Sequence, residues 1–369
     1  MNKSVIQQLF VKGIRILCNK SRLRKKRTVV FSAPTDFHFQ HLLPIIREVL
    51  KNSRLSLIVV EVPGWDIRPD LKDVEFISAD DFYNARWRLF DLIVATEFSA
   101  VPWWFKSGLR IALFHGAGPK MGYYERLAEN YFDIVFSPGP TAVKFQEQII
   151  KNTAGKNTKL LPVGLPAIDK LYNKAQTEEK PVCPKPAVLY APSWHIDPSL
   201  VAMDEPFLKA LSELKNYHVI IRPHPNLLLP ERCGGKDWKE IMIALESENF
   251  EISLTGSIYD QLHRTDILIG DYSSVLYEYL VFDRPGFLYV SEKLLYKVLY
   301  PFTVAPLLTA FNNISDFEIL SQILDNEMAN PINKQKERNG LLNDIFYNVG
   351  SATEVAAEEI VKLADDCNW

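Results

Sequence analysis

The 369-residue chain has only four cysteines, Cys18, Cys183, Cys233 and Cys367, and no two of them stand in CxxC spacing. Neither a zinc site nor a disulfide framework is suggested, and a reducing cytoplasm fits best. No stretch approaches the roughly 18 uninterrupted apolar residues that a membrane-spanning helix needs. The N-terminus lacks a compact apolar core followed by a small-residue cleavage site. The expectation is a protein that is neither secreted by a standard signal nor integral to a membrane. Internal repeats and low-complexity tracts are also missing.

Acid is what the first 27 residues lack. They hold nine Lys or Arg (Lys3, Lys12, Arg15, Lys20, Arg22, Arg24, Lys25, Lys26, Arg27) and no Asp or Glu. Taking those nine from the formal charge of −3 leaves −12 for residues 28–369. An acidic body argues against nucleic acid as the main partner, because phosphate backbones need a basic face. Within the basic segment, Val5, Ile6, Leu9, Phe10, Ile14 and Leu17 recur near helical spacing, with Lys3, Gln7, Gln8, Lys12 and Arg15 largely opposite. A basic amphipathic helix of this kind lies on anionic membrane surfaces. A solvated terminus, or a helix packed on the protein, has the same pattern.

What is present in quantity is core. Hydrophobic residues make up 47% and charged residues 24% of the chain, which excludes a disordered or fibrous protein. The length suits two domains better than one. From residue 28 onward, short β-branched runs (28–31, 57–60, 92–95, 111–114, 134–136, 160–163) alternate with longer helical stretches. That alternation specifies a parallel sheet. A second series (188–190, 218–221, 252–254, 267–269, 287–290) repeats the pattern. Between them, residues 170–186 are polar, hold three prolines and show no apolar period, as a linker would. The expected fold class is therefore α/β, with two Rossmann-like lobes, 28–169 and 187–345. The final segment, 346–369, carries an amphipathic helix that can return to the first lobe.

Ligands of open parallel sheets bind beyond the carboxyl ends of the strands, so the loops after those runs are the informative ones. Asp271, Tyr272, Ser273 and Ser274 follow the run at 267–269 and lead into a helix, where backbone N–H groups and hydroxyls suit an anion. Glu278 lies one turn beyond Ser274, placed to accept hydrogen bonds from ribose hydroxyls. The other reading makes the serines simple caps and Glu278 a surface charge. Arg222 and His224, stiffened by Pro223 and Pro225, end the run at 218–221 and offer two donors to a diphosphate, or a proton from His224. Ser193 and Trp194 follow the run at 188–190. In the first lobe, His115, Gly116 and Lys120 follow the run at 111–114, where His115 suits a general base or a loop histidine bonded to a carbonyl. His38 and His41 are three residues apart, a spacing that also suits a metal pair. Without a third ligand in view, a polar entrance to the cleft is the reading taken, and no metal site is assigned.

Ala191-Pro192-Ser193-Trp194, Arg222-Pro223-His224-Pro225 and Asp271-Tyr272-Ser273-Ser274-Val275, followed by Phe282-Asp283-Arg284-Pro285, resemble the motifs of the CDP-glycerol glycerophosphotransferase family of teichoic acid and capsule polymer synthesis. The resemblance is clear over about residues 110–290. It implies two lobes of the GT-B type with parallel sheets facing a central cleft, and transfer of glycerol phosphate or a related polyol phosphate from a CDP-linked donor to a polymer or lipid-linked hydroxyl, with release of CMP. By the same resemblance His115 activates the acceptor, with Gly116, Lys120, His38 and His41 on the acceptor side. His224 and Arg222 act on the diphosphate, and Ser193, Trp194, Asp271, Tyr272, Ser273, Ser274 and Glu278 hold the donor. No cofactor is implied beyond the CDP-linked substrate. The implied location is cytoplasmic, peripheral on the inner face of the cell membrane through residues 1–27. Where family members usually have Thr after His-Gly, this chain has Ala117, so the polyol stays open. The alternatives are a nonhydrolysing UDP-N-acetylglucosamine 2-epimerase, a sugar-transferring GT-B glycosyltransferase and, less favoured, a nonenzymatic polymer-binding relative.

Overall fold

Strands that are apolar along their whole length, such as Val29–Phe31 and Leu92–Ala95, have no face to show to water, and the chain buries them completely. In the computed structural model, residues 26–366 are described except 53, 66–67, 85–89, 103–104, 106–107, 115, 117–131, 153–157, 195–202, 272, 290–304 and 315. The basic segment, with the exception of Lys26 and Arg27, lies outside the described residues. The described parts of 26–116, 132–169 and 346–366 form one compact unit, and those of 170–345 form another.

The first unit is built on β1 (Arg27–Ser32), β2 (Leu55–Val60), β3 (Val74–Ile77), β4 (Leu92–Ala95), β5 (Leu109–Leu113), β6 (Ile134–Ser137) and β7 (Lys159–Pro162). All pairings are parallel and the spatial order is β3-β2-β1-β4-β5-β6-β7. Strand order reverses beside β1: the chain first builds outward through β2 and β3, then returns to the other side at β4. The helix Asp36–Val49 follows β1 and buries Phe39, Leu42, Ile45, Ile46 and Val49 at i, i+3, i+4 spacing. Thr35 caps it by accepting the His38 amide N–H.

The helix Ala352–Asp366 belongs to this unit, laying Ala356, Ala357, Ile360 and Ala364 into the same core as the helix Asp36–Val49. Small residues let the two helices approach closely. Two polar contacts and one close backbone approach hold its entry. Asp169 accepts the Ala352 and Thr353 amides at 3.2 and 2.6 Å, and burial raises its pKa. Asn348 donates to the carbonyls of Pro162 and Val163. Gly164, at φ 101°, runs so close to the returning chain that a Cβ would stand 2.3 Å from the Tyr347 carbonyl oxygen.

The second unit contains β8 (Ala187–Ala191), β9 (His218–Ile221), β10 (Phe250–Ile252), β11 (Ile267–Gly270), β12 (Gly286–Leu288) and β13 (Asn312–Asn313), all parallel, in the order β10-β9-β8-β11-β12-β13. Its order repeats that of the first unit, with the reversal between β8 and β11. The Phe282-Asp283-Arg284-Pro285 segment is structural. Asp283 adopts a left-handed conformation at φ 49°, and its carboxylate accepts from Nε of Arg338 at 2.9 Å. Arg338 is itself 1% exposed. Arg284 donates to the carbonyls of His263 and Thr265.

Three features depart from the sequence reading. The edge strands β3 and β13 were not expected, since β3 has four residues of mixed burial and β13 only two. The run expected at 252–254 pairs as Phe250–Ile252. The polar stretch at 170–186 is not irregular throughout, because Asp169–Thr177 is helical. Its apolar signal is faint because Leu171 is its one fully buried hydrophobic side chain.

Gly164→Ala combines left-handed strain with a backbone clash, and is expected to destabilise the protein by about 2–4 kcal/mol. Denaturant unfolding checks this, and Gly340→Ala, inside a helix where a Cβ meets nothing within 4 Å, is the control that should not destabilise.

Candidate functional site

At the carboxyl edge of the second sheet, four loops lie side by side in the order of their strands: 253–256 after β10, 222–226 after β9, 191–194 after β8 and 271–274 after β11. Each is tied to its neighbour. Arg222 sends Nη1 to the carbonyls of Ser253 and Thr255, both at 2.8 Å, and Nη2 to that of Gly256 at 2.6 Å. The His224 amide donates to the Pro192 carbonyl at 3.1 Å. Ser193 donates its amide and its hydroxyl to Oδ2 of Asp271, at 2.8 and 2.6 Å.

The last tie spans the place where strand order reverses, the point at which open α/β sheets bind ligands. Asp271 is fully buried, and its other oxygen accepts the Ser273 amide at 3.2 Å. Burial pushes its pKa up to about 6, although the hydrogen bonds from Ser193 and Ser273 pull the other way. Both oxygens accept hydrogen bonds from the protein, so Asp271 ties two loops together.

Ser273 is the N-cap of the helix Ser274–Tyr279, yet its hydroxyl makes no capping bond. Its Oγ is buried without a hydrogen-bond partner among the described residues. The simple-cap reading therefore does not account for Ser273. Ser274 opens the helix, half-buried. Glu278 is 5% exposed and not a surface charge. The Tyr259 hydroxyl donates to it, and burial followed by this carboxylate raises the tyrosine pKa far above its usual value.

Trp194 and His224 form the exposed flank of the site. Their rings stack with centroids 6.4 Å apart at 24°, and the indole N–H donates to the Arg232 carbonyl at 3.1 Å. The Asn226 amide donates to Nδ1 of His224 at 3.1 Å, so the neutral imidazole carries its proton on Nε2. Arg222 is committed to three carbonyls and desolvated, which lowers its pKa. In this arrangement Arg222 braces the 253–256 loop. Tyr259 and Asn226 escaped the sequence reading: Tyr259 meets Glu278 19 residues along the chain, and Asn226, although only two residues from His224, carries no signal that its amide would fix the imidazole tautomer.

The expected site residues His115, Lys120 and Tyr272 lie outside the described residues. Gly116 is half-buried beyond β5. His38 bonds Thr35 Oγ1 through Nδ1 at 2.6 Å and brings Nε2 to 3.6 Å from Glu97, which follows β4. It thus stands at that sheet's own reversal point. His41 does not share the polar edge: it is 6% exposed, with the exposed Phe37 ring 5.1 Å away. Among the described residues, no three His, Cys, Asp or Glu side chains group as metal ligands would.

Two α/β units, each a parallel sheet whose strand order reverses once, define a Rossmann-like type of fold. The same fold occurs in the wall teichoic acid polymerase TagF, at a TM-score of 0.67 and 17% identity, covering 93% of this chain and 90% of that one. The chain belongs to the CDP-glycerol:poly(glycerophosphate) glycerophosphotransferase family, whose sequence profile matches residues 125–354, more than half of its length. Relatives include the teichoic acid ribitol-phosphate primase of Bacillus spizizenii, 26% identical over 47% of this chain and 46% of that protein. The teichoic acid glycerol-phosphate primase of Bacillus subtilis is 28% identical over 40% of this chain and 38% of that protein. The chain thus matches less than half the length of either.

Because the pKa of Asp271 is raised, ionising it costs the folded state up to about 3 kcal/mol, a penalty absent below pH 4 and complete above about pH 6. Asp271→Asn has no such titration, so the stability of the wild type relative to this variant should fall as pH rises from 4 to 6.5. Parallel urea titrations of the two proteins across that interval measure the difference.

Proposed function

We propose that this protein transfers a polyol phosphate from a CDP-linked donor to a hydroxyl of a polymer or lipid-linked acceptor, releasing CMP. The observation that carries the reading is the set of tied loops at the β8/β11 reversal, which lies inside the segment matched by the family. Ser273 and Ser274 would hold the donor phosphates, with Glu278 near the nucleoside.

In the reaction the acceptor oxygen attacks the phosphorus that bears the polyol. A new P–O bond forms, the bond from that phosphorus to the bridging oxygen breaks, and the bridging oxygen departs with CMP. The acceptor proton passes to a base, for which His115 is the candidate. His224, with its proton on Nε2, would donate to phosphate oxygens as charge moves onto the leaving group. Holding the two substrates in line supplies much of the remaining rate. Glycerol and ribitol are both carried as candidate polyols.

Among the described residues no helix is long and apolar enough to cross a membrane. The nine cations of residues 1–27 support peripheral attachment to an anionic inner membrane face, where a lipid-linked acceptor would lie. Sedimentation with phosphatidylglycerol vesicles, but not with phosphatidylcholine vesicles, and its loss in high salt are expected. Equal binding to both would overturn the attachment.

The transfer itself is tested by incubating the protein with CDP-glycerol, CDP-ribitol or UDP-N-acetylglucosamine, with and without teichoic acid or capsule oligomers. Acceptor-dependent CMP release is expected, reduced about 100-fold or more in His224→Ala and His115→Ala. Release of UDP, or epimerisation of the sugar, without CMP would replace this reading with a glycosyltransferase or an epimerase.

A further inference from the structure

The first unit has a cavity of about 490 Å³ that none of the transfer residues named above lines. It opens between the first turn of the helix Asp36–Val49 and the loop that follows β2, so it lies at the carboxyl edge of the first sheet. Its volume falls within the roughly 300–1,000 Å³ of small-molecule sites.

The lining is chemically selective. Trp65 donates its indole N–H to Oδ1 of Asp36 at 2.8 Å, and Gln40 donates to both Asp36 oxygens at 3.2 and 3.4 Å. The indole meets the buried Phe39 ring edge-on, with centroids 4.6 Å apart, which anchors it to the core. Pro44 has no N–H to offer the Gln40 carbonyl four residues earlier, leaving that carbonyl without its helical donor. Arg68 also lines the cavity, but it is paired with Glu61 and lies over the Phe76 ring at 5.6 Å.

The charge balance decides the class of ligand. Arg68 is already neutralised by Glu61, and Asp36 adds a further negative charge, so a phosphate would meet repulsion rather than a cationic cradle. A carboxylate with lone pairs to spare, an amide oxygen and an anchored indole instead suit a ring that presents adjacent hydroxyls on its rim and C–H bonds on its face. We propose that this cavity binds a neutral glycosyl unit of the acceptor. The inference rests on reading the chain as a transferase with a polymeric or lipid-linked acceptor. It adds a second contact with that acceptor, away from the reacting hydroxyl.

The test uses the full chain with ¹⁵N-labelled tryptophan and no CDP donor, titrated with methyl glucoside, N-acetylglucosamine, glycerol 3-phosphate or inorganic phosphate. Binding of at least one sugar with a millimolar dissociation constant is expected, shifting the indole resonance that disappears in Trp65→Phe. Asp36→Ala should weaken binding about 10-fold or more, and Gln40→Ala should weaken it less. Both positions are exposed, and an unchanged melting temperature excludes misfolding. In turnover, Asp36→Ala should raise KM for the acceptor while leaving KM for the donor and kcat in place. Binding of the two phosphates in preference to the sugars, or no sugar binding at all, overturns the inference; if acceptor-dependent CMP release persists alongside, the transferase reading stands without it. Sugar binding with no CMP release from any CDP donor overturns the acceptor assignment together with that reading.

Discussion

A parallel strand buried on both faces can place polar groups only at its ends, and this constraint organises both units. Val29, Val30, Phe31, Ile93 and Val94 in one sheet, and Val188, Leu189, Ile220, Ile221, Leu268 and Ile269 in the other, leave no room for a working side chain along the strands. Chemistry is driven to the loops at the carboxyl edges. There the reversal of strand order, at β1/β4 and at β8/β11, sends successive loops to opposite sides and leaves a crevice.

A crevice between diverging loops is useful only if the loops hold still. The second unit achieves this mainly with charged residues that bond from one loop to the next. Asp271 spends both oxygens on Ser193 and Ser273, and Arg222 spends its terminal nitrogens on three carbonyls. Asp283 and Arg338 do the same for the turn after the helix Ser274–Tyr279. Under the proposed function, the groups at this edge that would meet a donor are mostly uncharged: the serine hydroxyls, the imidazole and the indole. Burying Asp271 carries a cost, visible in its raised pKa, and the cost is accepted because a short carboxylate can join two loops where a longer side chain would sample several rotamers.

The first unit handles its reversal differently. His38 and Glu97 bridge the loops after β1 and β4, and the cavity lies to one side, over β1 and β2. Its shape depends on a core completed by the far end of the chain: the helix Ala352–Asp366 backs the helix Asp36–Val49, which in turn carries Asp36 and Gln40. Gly164 and Asp169 hold that return in place, so a substitution remote from the cavity can alter it.

The amino-acid sequence by itself determined the α/β class, most of the strands and the loops that matter, because strand and helix periods and the placement of Gly and Pro are local properties. It also held the family resemblance, which rests on short motifs directly after strands. Only the tertiary structure decided what each described motif residue touches. Whether Arg222 braces a loop or grips a phosphate depends on carbonyls 31 to 34 residues away, and whether Glu278 is a surface charge depends on Tyr259. The Trp65 cavity was likewise invisible in one dimension, since Asp36 and Trp65 are 29 residues apart and meet only because β1 and β2 are neighbours. Burial and hydrogen-bond partnership are relations between distant segments, and folding creates them.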